Sequence, residues 1–172
     1  MSTTDPAPGP TALIVMGVSG SGKTTVALGV SQARGWEYAE GDDFHPRANV
    51  EKMRDGTPLD DDDRWPWLRS IATWIGEREA AGESVVITCS ALKRAYRELL
   101  GEGHPSVRFC QLVVPEDVLT ERLANRRGHY MPASLLRSQL DTLQDLQPDE
   151  PGFQVCVEGG PDAVVAEVLR HL

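Results

Sequence analysis

The stretch Gly17-Val-Ser-Gly-Ser-Gly-Lys-Thr24 fits GxxxxGK[ST] at every required position, and its flanks limit the fold more than any other segment. Ala12 to Met16, just upstream, is a short continuous apolar run of the kind expected of a strand buried on both faces. Lys23 to Arg34, just downstream, carries a helical pattern. Strand, glycine-rich loop and helix in that order make a phosphate cradle. Gly17, Gly20 and Gly22 let the backbone wrap closely, so that its N–H groups and the helix N-terminus point at an anion. Lys23 then reaches the β- and γ-phosphates of a nucleotide, and the Thr24 hydroxyl can ligate Mg²⁺. Val18, Ser19, Ser21 and Thr25 complete the expected nucleotide-binding set.

The same grammar repeats along the chain. Residues 84–89, 107–114 and 153–157 are β-rich and each is followed by a helix-like segment. Trp36 to Ala39 is short, but a strand is needed there to return the chain to the sheet. Helices are expected over Pro46–Asp55, Trp65–Ala81, Leu92–Leu100, Glu116–Arg126, Pro132–Leu143 and Asp162–Leu172. The expectation is an α/β protein, a three-layer α/β/α fold on a five-stranded parallel sheet with right-handed crossovers. Residues 1–10 read as a disordered leader and residues 11–172 as one domain. A formal net charge of -9 argues against nucleic acid or an anionic membrane as partner, because both need a cationic face. No run reaches the roughly 20 apolar residues of a membrane span, and a cytoplasmic location is expected. The scattered Cys89, Cys110 and Cys156 read as buried free thiols rather than a disulfide framework or zinc site.

A phosphate loop alone does not choose among an ATPase motor, a GTPase and a kinase. Val85 to Thr88 runs into Cys89-Ser90 with no carboxylate, which weakens the motor reading, and the chain has no Asn-Lys-x-Asp element for guanine. What it has is Glu40-Gly41-Asp42-Asp43 straight after the second expected strand, where the carboxyl end of a parallel sheet places acids near the γ-phosphate. A kinase needs a carboxylate there to orient an acceptor hydroxyl and take its proton. The competing reading is that Asp42 and Asp43 merely cap the helix opening at Pro46. Arg122 and Arg126 share a helix face at i, i+4 and, with Arg127, lead into Gly128-His129-Tyr130-Met131-Pro132. A lid over roughly residues 122–135 fits this pattern, with Arg122 and Arg126 on the nucleotide and Arg126 and Arg127 joining Lys23 and Asp42 in catalysis.

Together these residues resemble the gluconokinases, P-loop small-molecule kinases similar to shikimate kinases. The motifs are the phosphate loop, Glu40-Gly-Asp-Asp-Phe-His-Pro46, Asn49 with Lys52-Met53, Gly56-Thr-Pro-Leu-Asp60, Asp62-Asp-Arg-Trp-Pro-Trp-Leu68, Cys89 to Arg97 and Gly128-His-Tyr-Met-Pro132. The resemblance runs over nearly the whole chain from Leu13. It implies ATP-dependent phosphorylation of D-gluconate to 6-phosphogluconate, with Mg²⁺, in a cytoplasmic homodimer. By motif position Asp42 looks like the carboxylate facing the acceptor, and Arg64 like a cation for the substrate carboxylate. Lys93, Arg94 and Arg97 are further candidates, since a sugar-acid anion needs a paired cationic partner. Arg54, His45 and His129 complete the expected substrate set, and Thr24 with Glu40 or Asp42 through water the metal set. His45 reads as shaping a turn or touching substrate rather than as a base, Trp65, Trp67 and Trp74 as core, and Asp60 to Asp63 as a solvated acidic turn. Two positions depart from the family pattern: Tyr130 stands where Phe is frequent, and Gln144 stands for an acid, which puts nucleotide-side contacts near it in doubt.

Overall fold

The computed structural model describes residues 9–124 and 133–172. Its elements are β1 (Ala12–Met16), α1 (Lys23–Arg34), β2 (Glu37–Glu40), a 3₁₀ turn (Gly41–Phe44), α2 (Arg47–Arg54), α3 (Asp61–Ala80), β3 (Val85–Thr88), α4 (Arg94–Gly101), β4 (Val107–Val113), α5 (Glu116–Ala124), α6 (Ala133–Thr142), β5 (Gly152–Cys156) and α7 (Pro161–Arg170). The five strands are parallel in the order β2-β3-β1-β4-β5. β1 therefore lies in the middle, paired with β3 on one side and β4 on the other, and the chain's first loop leaves from the centre of the sheet's carboxyl edge.

The unbroken apolar run of β1 is explained by two cores, one on each face. Leu13 and Val15 pack with Val26, Ala27 and Val30 of α1 and Val164 and Val168 of α7. Ala12, Ile14 and Met16 pack on the other side with Trp67, Leu68, Ile71 and Ile75 of α3, Tyr96 and Leu100 of α4, Leu119 of α5 and Leu136 of α6. Each fully buried aliphatic side chain contributes roughly 1.5–3 kcal/mol, so this central strand anchors the platform from which the site projects. Among the described residues, no helix is long and apolar enough to cross a membrane.

Three local expectations are corrected. Helix α3 starts at Asp61 rather than Trp65, because Asp60 and Asp63 form a capping box and the helix runs on through Pro66. The acidic run is thus engaged: Asp63 also accepts from Lys52 Nζ at 2.8 Å, and Asp61 pairs with Lys93. Helix α4 starts at Arg94 rather than Leu92, because the Gln144 side chain accepts from the Arg94 N–H at 2.9 Å while the Gln144 N–H donates to Leu92 O. Gln144 is thus a partner of the start of α4. Finally, Cys89 and Cys110 are buried but Cys156 is exposed, since β5 is an edge strand in which only Val155 is buried.

Candidate active site

The loop between β1 and α1 closes on itself. Gly22 takes a left-handed conformation (φ 94°) at the start of α1, a geometry that a side chain would strain. Ser21 Oγ donates to Val18 O at 2.7 Å, and Lys23 Nζ reaches back to Gly17 O and Val18 O at 2.9 and 3.1 Å. Thr25 is exposed in the first turn of α1. Two later segments touch the loop. Arg122 donates from Nη1 to Gly20 O at 3.1 Å, which sets this guanidinium against the loop. Gln139 of α6 grips Ser19 twice: its Oε1 accepts from the Ser19 N–H at 2.7 Å and its Nε2 donates to Ser19 Oγ at 3.2 Å.

The acidic turn is pinned against the end of β3. A Cβ on Gly41 would stand 1.9 Å from Thr88 O, so only glycine permits this approach. The Gly41 N–H donates to Thr88 Oγ1 at 3.1 Å, and Trp67 Nε1 donates to Gly41 O at 2.7 Å. Held on both sides, the turn presents Asp42 to the cleft; neither it nor Asp43 caps α2, whose first residues have no side-chain cap. Glu40 Oε2 accepts from Thr24 Oγ1 at 3.0 Å and from Tyr38 OH. Glu40 is therefore the acid beside Thr24, and Asp42 the acid that lines the cleft with Lys23.

The Asp42 side chain is 72% exposed, yet its pKa lies above the ordinary carboxylate range. The two facts are compatible: water reaches the carboxylate through the open mouth while the cleft walls displace the bulk solvent around it. That loss of solvent raises the pKa, Lys23 opposes it, and the charges of Glu40 and Asp43 add to it. His45, at the end of the same turn, has a side chain only 3% exposed. Burial, and then the Arg64 charge, lower its pKa to about 4, so the imidazole is neutral at physiological pH.

Lys23 and Asp42 share a cleft of about 310 Å³ with Ser19 and with His45, Arg54 and Arg64. Arg64 donates to Tyr96 OH at 2.8 Å with its guanidinium 5.4 Å from that ring's centre, which fixes its direction. The other cations expected to meet substrate are placed elsewhere. Lys93 is bound to Asp61 at 3.0 Å beside the cleft, and Arg94 forms a two-pronged pair with Asp149 at 2.9 and 2.6 Å. Arg97 is 1% exposed: it pairs with buried Glu150 at 2.7 and 3.0 Å and donates to Ala91 O at 2.9 Å. Burial alone would lift the Glu150 pKa, but hydrogen bonds from Arg97 and the Gln147 N–H hold it low. Arg97 is thus a strut for the Ser90–Leu92 loop, in which Ala91 has φ 44°, and not a substrate ligand. Arg97→Met should cost about 3–5 kcal/mol in denaturant unfolding by stranding Glu150, with the KM for the acceptor unchanged in the folded fraction.

Sequence reasoning missed part of the lining. Ser90, Leu92, Leu135, Ser138 and Gln139 all border the cleft. Trp67, read as core, is buried but also forms part of the wall. Nothing local to Gln139 marks it; only the fold joins it to Ser19. Arg126, Arg127 and His129, with the rest of the expected lid centre, lie outside the described residues.

A family model described as an AAA domain matches residues 13–147. The chain is 51% identical over 162 residues to a gluconokinase of Gluconobacter oxydans, covering 94% of this chain and 91% of that protein. An unliganded sugar kinase structure from a Janibacter species is 52% identical with TM-score 0.89, covering 94% and 93% of the two chains. A gluconokinase structure from Sinorhizobium meliloti is 45% identical with TM-score 0.84, covering 95% and 92%.

Proposed function

The chain belongs to the gluconokinase family, and from that premise we propose that it moves the γ-phosphoryl group of ATP onto the C6 hydroxyl of D-gluconate, giving 6-phosphogluconate and ADP. The observation that carries this reading is the single cleft that holds the phosphate-loop lysine, the Asp42 carboxylate and two guanidinium groups. The phosphate loop binds the triphosphate. Asp42 orients the acceptor hydroxyl and accepts its proton as the phosphoryl group arrives, in line with its leaving oxygen. Arg64, held by Tyr96, is the first choice for the gluconate carboxylate, with Arg54 beside the same cleft. Arg122 contacts the loop, and Arg126 and Arg127, assigned by sequence position, stabilise charge on the transferring group.

Thr24 Oγ1 and the Glu40 carboxylate form a pair of hard oxygen donors 3.0 Å apart, which fits Mg²⁺ held by the hydroxyl and through water by the acid. When bound, the ion would neutralise charge on the β- and γ-phosphates. The division favoured here gives Glu40 to the metal and Asp42 to the acceptor. A homodimer in the cytoplasm follows from the family resemblance and is tested by sizing the purified protein.

An ADP-release assay that sets gluconate beside related aldonic and uronic acids, shikimate and a nucleoside monophosphate tests the reading. Gluconate should give the highest kcat/KM. Arg64→Met should raise the gluconate KM about 10- to 100-fold with little change in the ATP KM. Equal loss for both substrates would remove Arg64 from the carboxylate.

A further inference from the structure

His45 is held on two sides and open on a third. Its ring stacks on Trp67, with centroids 4.1 Å apart and planes 15° apart. Trp67 is itself fixed by its bond to Gly41 O. On the ring's edge, Asn49 Nδ2 stands 3.1 Å from His45 Nδ1 and 2.8 Å from Asp63 O. The third side opens on the cleft, where His45 Nε2 lies 3.8 Å from Asp42 Oδ1.

The proton positions follow from these contacts. Asp63 O is a backbone carbonyl and can only accept, so the Asn49 atom against it is the amide NH₂. Asn49 is 3% exposed, and the NH₂ group has two hydrogens. One goes to Asp63 O; the other points at His45 Nδ1, which must then offer a lone pair. A neutral imidazole that accepts at Nδ1 carries its hydrogen at Nε2. That N–H faces the cleft beside Asp42, too far for a bond between the two but near enough for one oxygen standing to the side to reach both.

We infer that Asn49 is a positioning residue that locks His45 as an Nε2–H donor, and that this donor binds a lone pair of the acceptor hydroxyl while Asp42 takes that hydroxyl's proton. This rests on the proposed gluconate chemistry and adds to it a second partner for the reacting oxygen. His45 then fixes the direction of the oxygen's attacking lone pair and takes no proton itself. The arrangement also explains why α2 and the first turn of α3 are tied together at a buried amide: both ends of the Asn49 bridge serve the imidazole.

Nitrogen-15 NMR of the histidine rings at neutral pH, with the His45 signals assigned from their loss in His45→Gln, reads the tautomer without any substrate. Protonated Nε2 and bare Nδ1 are expected. Nδ1–H, or an imidazolium, would overturn the inference whatever the assays show. In kinetics, His45→Phe keeps a ring for Trp67 but no donor, and should lower kcat/KM for gluconate about 10- to 100-fold with the ATP KM unchanged. His45→Gln restores an N–H near the Nε2 position and should recover much of that loss. Wild-type rates from His45→Phe would sink the donor role. Asn49→Asp turns the donor into an acceptor, and should move the ring hydrogen to Nδ1 and lower kcat/KM to the same degree; an unchanged tautomer would remove Asn49 from the scheme. If that variant does not fold, the wild-type spectrum and the His45 pair decide. Absence of gluconate turnover in the wild type would refute the acceptor chemistry and leave the tautomer result standing.

Discussion

Asp42→Asn should lower kcat by about 10²- to 10⁴-fold, the range that a positioned general base supplies. Asn keeps the size of the side chain and its place on the pinned turn, but cannot take a proton. The ATP KM should change little, because the phosphate loop is built from other residues. Wild-type kcat/KM should fall as the pH is lowered, and the fall should begin at a higher pH than an ordinary carboxylate would give, because loss of solvent in the cleft, with Glu40 and Asp43 nearby, raises the Asp42 pKa. The variant should lose that limb. Stability should move the other way. A carboxyl whose pKa is raised by folding destabilises the native state where it is ionised in both states. That cost grows as pH rises from the unfolded pKa to the folded one. At neutral pH, Asp42→Asn should therefore melt no lower than the wild type. A large fall in Tm together with the fall in kcat would assign the residue to the fold instead of the chemistry.

How far the sequence reaches toward this site depends on the range of the contacts that build it. The phosphate loop is legible because its residues contact one another: Ser21 with Val18, Lys23 with Gly17, all within one turn of chain. The apolar run of β1 likewise carries the two-faced core in itself. Asp42 is legible because a parallel sheet gathers its strand ends at one edge. The arginines are not legible in this way. Arg64 and Arg97 look alike in sequence, as cations near motifs, yet one lines the cleft while the other is buried against Glu150, a partner visible only once β4 and β5 are in place. Gln139 is the extreme case, since its partner Ser19 belongs to the opposite end of the chain. Gln144 is a similar case: its partner at the start of α4, the Arg94 N–H, lies 50 residues away in the chain.

Lys23→Met should lower kcat on the order of 10²- to 10³-fold, as removal of a charge-stabilising donor from a preorganised site does. Methionine keeps the apolar stem and removes the ammonium. The loss has two parts, because Lys23 also straps Gly17 O and Val18 O and so helps hold the loop's curve. They can be separated through Asp42. The Lys23 charge opposes the rise of the Asp42 pKa, so removing it should push that pKa further up. The residual activity of Lys23→Met should then show its acid limb at a higher pH than the wild type. A change in loop shape alone would lower the rate without moving the limb. Combining Lys23→Met with Asp42→Asn should cost less than the product of the single losses, since each charge acts partly through the other. Fully multiplicative losses with an unmoved limb would mean that lysine and aspartate do not face the same phosphoryl group.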